Sequence, residues 1–243
     1  MNDTIAGILN HRSIRKYRPE TVPEDDIRQA VQAGQMASTS SAVQSYCVLQ
    51  IKNQEQRETL AELTGSQEQV AQSGAFFIIC GDTRRHRLIN EREGIPYAAR
   101  LEAFLLAVID ASLFAQNMVL AFESMGYGVC YIGGLRNDLP AVDRLLNNPE
   151  GVYPLYGLCV GVPDEQPLAR PRLNPEAVWF ENHYPDDEAM RGMIDAYDTT
   201  YQTYLKERGA NPRKWSGAMA RKFSEPRRSY LAAYYQSKGA DLS

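Results

Sequence analysis

The sequence predicts an α+β fold, and three observations carry that reading. Residues 46–51, 75–80, 127–132 and 154–160 are short apolar runs bounded by turn-forming residues, consistent with four or five strands. They are interleaved with helical stretches in no regular βαβ repeat, which speaks against a doubly wound sheet. The length of 243 residues, with 44% hydrophobic and 23% charged, suits one core with an appended arm better than two equal domains.

From the N-terminus, Asp3 is placed to cap a first helix whose Ile5, Ile8 and Leu9 share one apolar face. Pro23, followed by Glu24, Asp25 and Asp26, starts a second helix running to about residue 37. Proline fits the first turn there, and the acids sit at the positive end of the helix dipole. Residues 54–63 read as a short helix with Leu60 and Leu63 on one side, and Gly65-Ser66-Gln67 turns the chain. The run 75–80, Ala-Phe-Phe-Ile-Ile-Cys, is apolar throughout, as befits a central strand covered on both faces. Residues 84–100 are heavily charged and interrupted by Gly94 and Pro96, predicting a helix and loop.

Residues 101–125 form the longest element, about 37 Å if helical throughout. Leu105, Ile109, Leu113, Gln116 and Leu120 trace one stripe along it. Glu102, Asp110, Gln116, Asn117 and Glu123 interrupt the apolar run below the length a membrane span requires, so a core and dimer-interface helix is predicted. Residues 139–146 form a short helix. Beyond about residue 186 the composition shifts. Met190, Met193, Ile194, Tyr197 and Tyr201 line a helical face up to Leu205, a loop follows, and residues 221–236 are predicted to form a final helix wrapping a partner subunit. The expected organisation is residues 1–185 as the core and residues 186–243 as a helical extension of the same domain.

Composition narrows the function classes. A net charge of -4 and the absence of any nucleic-acid module speak against DNA or RNA as partner. The start, Met-Asn-Asp-Thr-Ile, lacks the apolar stretch of a secretory signal. Cys47, Cys80, Cys130 and Cys159 are widely spaced in apolar runs and read as reduced, buried residues, fitting a cytoplasmic location. His11, His86 and His183 show no metal-ligand spacing, and no metal is expected.

Five stretches carry candidate chemistry. Residues 11–18, His-Arg-Ser-Ile-Arg-Lys-Tyr-Arg, place four cations and a histidine beside Ser13, a set suited to a polyanion because arginine offers a planar fork of donors. Ser38-Thr39-Ser40-Ser41 offers four hydroxyls that favour turns over helix interior. Gly133-Gly134, directly after Tyr131-Ile132, lets backbone approach a ligand closely; neither a dinucleotide fingerprint nor a Walker A loop matches here. Arg170-Pro171-Arg172 holds two arginines on a preset extended backbone. Residues 206–215 concentrate Lys206, Arg208, Arg213 and Lys214 in a loop marked by Gly209 and Pro212.

In this order, the five stretches resemble the nitroreductase family, and most of all its NADPH-dependent, oxygen-insensitive nitroreductase and flavin reductase subgroup. The resemblance implies a mixed central sheet flanked by helices, in an obligate homodimer that holds two FMN molecules at its interface. It implies that His11, Arg12, Ser13, Arg170 and Arg172 bind the ribityl phosphate and that Arg15 stands near flavin N1 and O2. Ser40 and Ser41 are implied to lie against the flavin, and Gln67 at its pyrimidine edge. Tyr131, Ile132, Gly133 and Gly134 are implied to face the N5 and O4 side. Arg170 stands where the family usually has lysine, which keeps the charge and alters the phosphate geometry. Arg208, with Arg213 second, is implied to hold the 2′-phosphate of NADPH. The implied reaction is ping-pong two-electron transfer from NADPH to nitroaromatics, quinones or free flavin, with no catalytic side chain of its own. Two alternatives stay open: free FMN as the main acceptor, and a flavin-binding redox sensor of low turnover.

Overall fold

The apolar runs pair into one sheet. In the computed structural model, which describes residues 2–98 and 100–243, the strands are β1 (Tyr46–Gln50), β2 (Ala75–Asp82), β3 (Gly128–Ile132) and β4 (Val152–Gly161). Their spatial order is β1-β2-β4-β3 and all three ladders are antiparallel. The sheet is therefore antiparallel where a mixed one was expected. β1 and β2, and β3 and β4, are sequence neighbours that lie side by side; β2 and β3 lie on either side of β4 and run in the same direction, so the chain between them, which carries α5 and α6, crosses back over the sheet. Parallel contact among the described residues is confined to one bridge, Ser13 to Val129.

The helices in chain order are α1 (Asp3–Leu9), α2 (Glu24–Gln35), α3 (Gln54–Leu63), α4 (Gln69–Gln72), α5 (Arg84–Glu93), α6 (Leu101–Ser124), α7 (Leu139–Leu146), α8 (Asp187–Glu207), α9 (Trp215–Lys222) and α10 (Leu231–Ser237). The chain divides into two compact units, Met1–Pro167 with Arg228–Ser243, and Leu168–Arg227. The last helix belongs to the first unit.

In the first unit, β2 is buried at every position and lies in the middle of the sheet. The core face of α6 is built from Ala107, Ala111, Phe114, Ala115, Met118 and Phe122. Phe122 packs on Phe77 with ring centroids 6.0 Å apart, and Phe114 stacks on Tyr46 at 4.6 Å. The predicted stripe is the opposite, outward face: Leu105, Ile109 and Leu113 are 44%, 52% and 44% exposed. Length and composition alone would let α6 cross a membrane, so its scattered charges do not decide the matter. Packing does: Asp110 is 1% exposed and accepts the Ser45 N–H at 3.0 Å, a polar anchor between the helix and the residue that leads into β1.

Two details depart from the sequence reading. Asn2, not Asp3, caps α1, its side chain accepting the Ile5 N–H at 2.9 Å, because Asp3 already lies in the first turn. The single helix expected over residues 221–236 is two: α9 ends at Lys222, and Pro226 with left-handed Arg228 (φ 55°) separates it from α10. α10 buries Tyr234 and Tyr235 in its own unit, where the Tyr235 hydroxyl donates to the Pro154 carbonyl at 3.0 Å. α10 is thus part of the core of the first unit. Cys80, Cys130 and Cys159 are buried and Cys47 is half-buried.

In the second unit, Asp186 caps α8 by accepting the Ala189 N–H at 2.8 Å. Tyr197 packs edge-on against Trp215 at 5.3 Å, joining α8 to α9.

Candidate functional site

The basic segment is laid along β3. The Ile14 N–H donates to the Val129 carbonyl at 2.8 Å, and the Arg18 N–H to the Val162 carbonyl at 2.9 Å. Ile14 is buried at the start of β3, where a Cβ on Gly128 would stand 2.6 Å from its Cγ1. Only glycine lets the segment come that close. Within it, His11 Nδ1 pairs with Glu123 Oε1 at 2.6 Å. Arg12 donates from Nε to the Pro167 carbonyl at 2.8 Å and from Nη1 to the carbonyl and side chain of Asn10. Arg15 is held at its backbone, where the Glu165 carboxylate accepts its N–H at 2.5 Å. Its guanidinium is exposed and, among the described residues, has no carboxylate within ion-pair distance. That charge reaches the strand: burial pushes the Cys130 thiol up, and Arg15 pulls it the other way.

The far end of β3 supplies the second part. Ile132 is fully buried, and Tyr131 stands edge-on to Tyr156 at 5.4 Å, its hydroxyl driven up by burial. The chain then enters a tight turn over Gly133–Asn137. A Cβ on Gly134 would collide with the Thr64 carbonyl and the Gln67 amide. Gln67 is fixed by donating to the Thr64 carbonyl at 2.8 Å and accepting from Gln69 at 3.1 Å. The structure thus brings Gln67, Gly133 and Gly134 together, and the basic segment runs beside the same strand.

Ser40 and Ser41 lie in a different setting. They are exposed in a short turn, Ser40–Ala42, and no hydrogen bond joins them to the basic segment or to the glycine turn among the described residues. Ser41, Ala42 and Gln44 all take left-handed φ (47°, 58° and 52°), at a cost of about 1–3 kcal/mol each for non-glycine residues. The loop is held from outside by His86 Nε2 on the Val43 carbonyl at 2.8 Å, Arg85 on the Gln44 carbonyl at 3.2 Å and Asp110 on Ser45.

In the second unit, Arg172 folds back to donate to the Arg170 carbonyl at 2.8 Å, and Tyr197 donates to the intervening Pro171 carbonyl at 2.8 Å. Both arginines are exposed. Arg208 forms the C-cap of α8 and Arg213 lies five residues on, just before α9; both are exposed and lack a carboxylate partner among the described residues.

Within the first unit, the basic segment and the glycine turn suit an anionic flavin nucleotide. The donor set is cationic and partly uncommitted, and the Gly134 cradle admits backbone where any side chain would clash. An open cavity of about 720 Å³ also lies by the basic segment, lined by Asp3, Ile8, Asn10, Arg12, Glu123 and Glu165 among others. It excludes Gln67 and the glycine turn, so it is not the space those residues face. Sequence reasoning met Glu123 only as a charge in the long helix and passed over Glu165; the two hold His11 and the Arg15 backbone. Their partners lie 112 and 150 positions away, and no local pattern signals such pairs. Asp198 left a signal: it occupies a place on the apolar stripe of α8, four residues after Ile194.

Known proteins bear on the arrangement. Residues 8–162 match the Nitroreductase family, and residues 170–243 match the Nitroreductase family, C-terminal domain. The chain is similar to the FMN reductase (NADPH) of Bacillus subtilis (strain 168), 40% identical over 245 residues and 98% of each chain. It is also similar to the oxygen-insensitive NADPH nitroreductase of Salmonella typhimurium, 36% identical over 242 residues and 98% of each chain. A solved B. subtilis nitroreductase superposes with a TM-score of 0.95 at 39% identity, covering 98% of this chain and 99% of that one. The chain belongs to the nitroreductase family.

Proposed function

We propose that this protein is an FMN-dependent NADPH oxidoreductase that passes two electrons to nitroaromatics, quinones or free flavin. The observation that carries the reading is the meeting of Gln67 with Gly134 at the end of β3, on the strand that the cationic segment accompanies. It is supported by full-length similarity to an FMN reductase (NADPH) and an oxygen-insensitive NADPH nitroreductase.

Bound FMN supplies the two-electron carrier. The chain's own residues bind and orient it. Arg15 offers its exposed guanidinium to the anion, while His11, Arg12 and Ser13 shape and charge the segment beside it. Gln67 presents an amide that both donates and accepts, and the turn at Gly133 and Gly134 allows backbone to approach the ring. Arg170 and Arg172 form a further anion-binding element, and Arg208 and Arg213 select the 2′-phosphate of NADPH. Ser40 and Ser41, exposed in a prestrained turn, serve the flavin as part of a homodimer. The outward stripe of Leu105, Ile109 and Leu113 supports that assembly, because such a face on a core helix calls for cover.

NADPH and the acceptor use one open face in turn. Initial rates with both substrates varied test this: parallel double-reciprocal lines are expected, and intersecting lines contradict the alternation. Comparing free FMN with a nitroaromatic and a quinone in the same assay ranks the acceptors. A low-turnover sensor would oxidise NADPH with none of them.

A further inference from the structure

The loop between α8 and α9 carries exposed cations that have no carboxylate within ion-pair distance among the described residues, yet both of its ends are fixed. At one end, Gly209 turns left-handed (φ 73°), and the Ala210 N–H donates to the Leu205 carbonyl at 2.8 Å, closing α8. At the other end α9 begins at Trp215, and its N-cap residue, Lys214, supplies no capping side chain. The missing cap comes from the middle of α8. Asp198 is 2% exposed, and its Oδ1 accepts the Ser216 N–H at 2.8 Å while its Oδ2 accepts the Ser216 hydroxyl at 2.6 Å. Burial alone would raise this carboxyl, but Ser216, nearby Lys214 and the Trp215 N–H hold it below the usual carboxylate range. Tyr197, the preceding residue on α8, packs on Trp215 and covers the same junction.

We propose that Asp198 is a positioning residue for nicotinamide cofactor selection: by capping α9 from a distance it fixes the span from Arg208 to Lys214, so that its cations meet the 2′-phosphate of NADPH preorganised. The inference rests on the reading of Arg208 as a ligand of that phosphate. A charged buried carboxylate at this place serves two ends. It satisfies the first N–H groups of α9, which the local sequence leaves without a cap. It also limits the freedom of a loop whose long side chains would otherwise lose more entropy on binding.

The test uses the full-length protein with FMN bound and compares Asp198→Ala, Asp198→Asn and Arg208→Ala. Asp198→Ala is expected to raise the NADPH KM roughly fivefold, with kcat, bound FMN and the NADH KM unchanged. Trypsin is expected to cut the 206–214 loop faster in this variant. Asp198→Asn, which keeps an acceptor for the Ser216 N–H, should fall between it and the parent. If Arg208→Ala raises the NADPH KM while Asp198→Ala leaves it and the tryptic rate unchanged, the positioning role is overturned and the reading of Arg208 stands. Equal rises for NADPH and NADH would show a general structural effect and also overturn it. If neither variant moves the NADPH KM, the reading falls and the proposal falls with it.

Discussion

The turn at the end of β3 and the loop between α8 and α9 are both proposed to meet nucleotides, yet they are built in opposite ways. At Gly134 backbone packs on backbone, two residues after the fully buried Ile132 and against a glutamine fixed by two hydrogen bonds. From Arg208 to Lys214 every residue is exposed, and order comes from the two ends. The difference suits a resident cofactor on one side and a co-substrate on the other. A group that stays bound gains from a surface whose shape is set by packing. One that must leave each cycle gains from a few long, solvated cations.

The largest effect is expected where packing is tightest. Gly134→Ala drives a methyl group into the Thr64 carbonyl and the Gln67 amide, and overpacking of this kind costs about 1–3 kcal/mol. Purified Gly134→Ala should lose most of its FMN and melt at lower urea; full flavin content with an unchanged melt would contradict the cradle. Arg15→Ala comes next. Loss of an exposed guanidinium that has no carboxylate partner among the described residues should weaken FMN binding roughly tenfold, read from the quenching of flavin fluorescence on titration. Equal affinity would move the anion site away from Arg15.

Arg208→Ala is the matching experiment on the exposed loop. A rise of roughly tenfold in the NADPH KM, with FMN content unchanged, is expected for one charge-assisted contact to a solvated phosphate. If the variant instead lost FMN, the proposed division of labour would collapse. The smallest effect is a pH dependence. Asp198 has a lowered folded value, so its contribution is complete above the ordinary aspartate value and is lost as pH falls through the lowered one. The difference in melting temperature between the parent and Asp198→Asn should therefore be constant near neutrality and vanish in acid. A difference that persists below the aspartate range would assign it to something other than the charge.

Much of this was legible in the sequence because it is local. The helices over residues 54–63 and 139–146 have the bounds expected from apolar spacing, and the strands over 75–80 and 154–160 lengthen by one or two residues at their ends. Glycine punctuation marked the turns at Gly65 and Gly133. The errors have physical causes too. The helix predicted over residues 221–236 ignored Pro226, whose ring cannot continue a helix, and so concealed that α10 returns to the core. The outward stripe of α6 was identified, but alanine and aromatic residues on the other face make the core, which a stripe of leucines could not show. The partners Glu123, Glu165 and Asp110 lie far along the chain from the groups they hold. Asp198, like Asp110 and Glu123, stands among apolar residues of its helix, a place that marks a carboxylate needing a partner without saying which one.

The most direct test of the account is an anaerobic visible spectrum of the purified protein before and after one equivalent of NADPH. The account predicts flavin absorption at the outset that bleaches on addition and returns when an acceptor is supplied. A protein that carries no flavin and takes up none from added FMN would contradict the assignment of the β3 turn, and bound flavin left oxidised by NADPH would contradict the oxidoreductase.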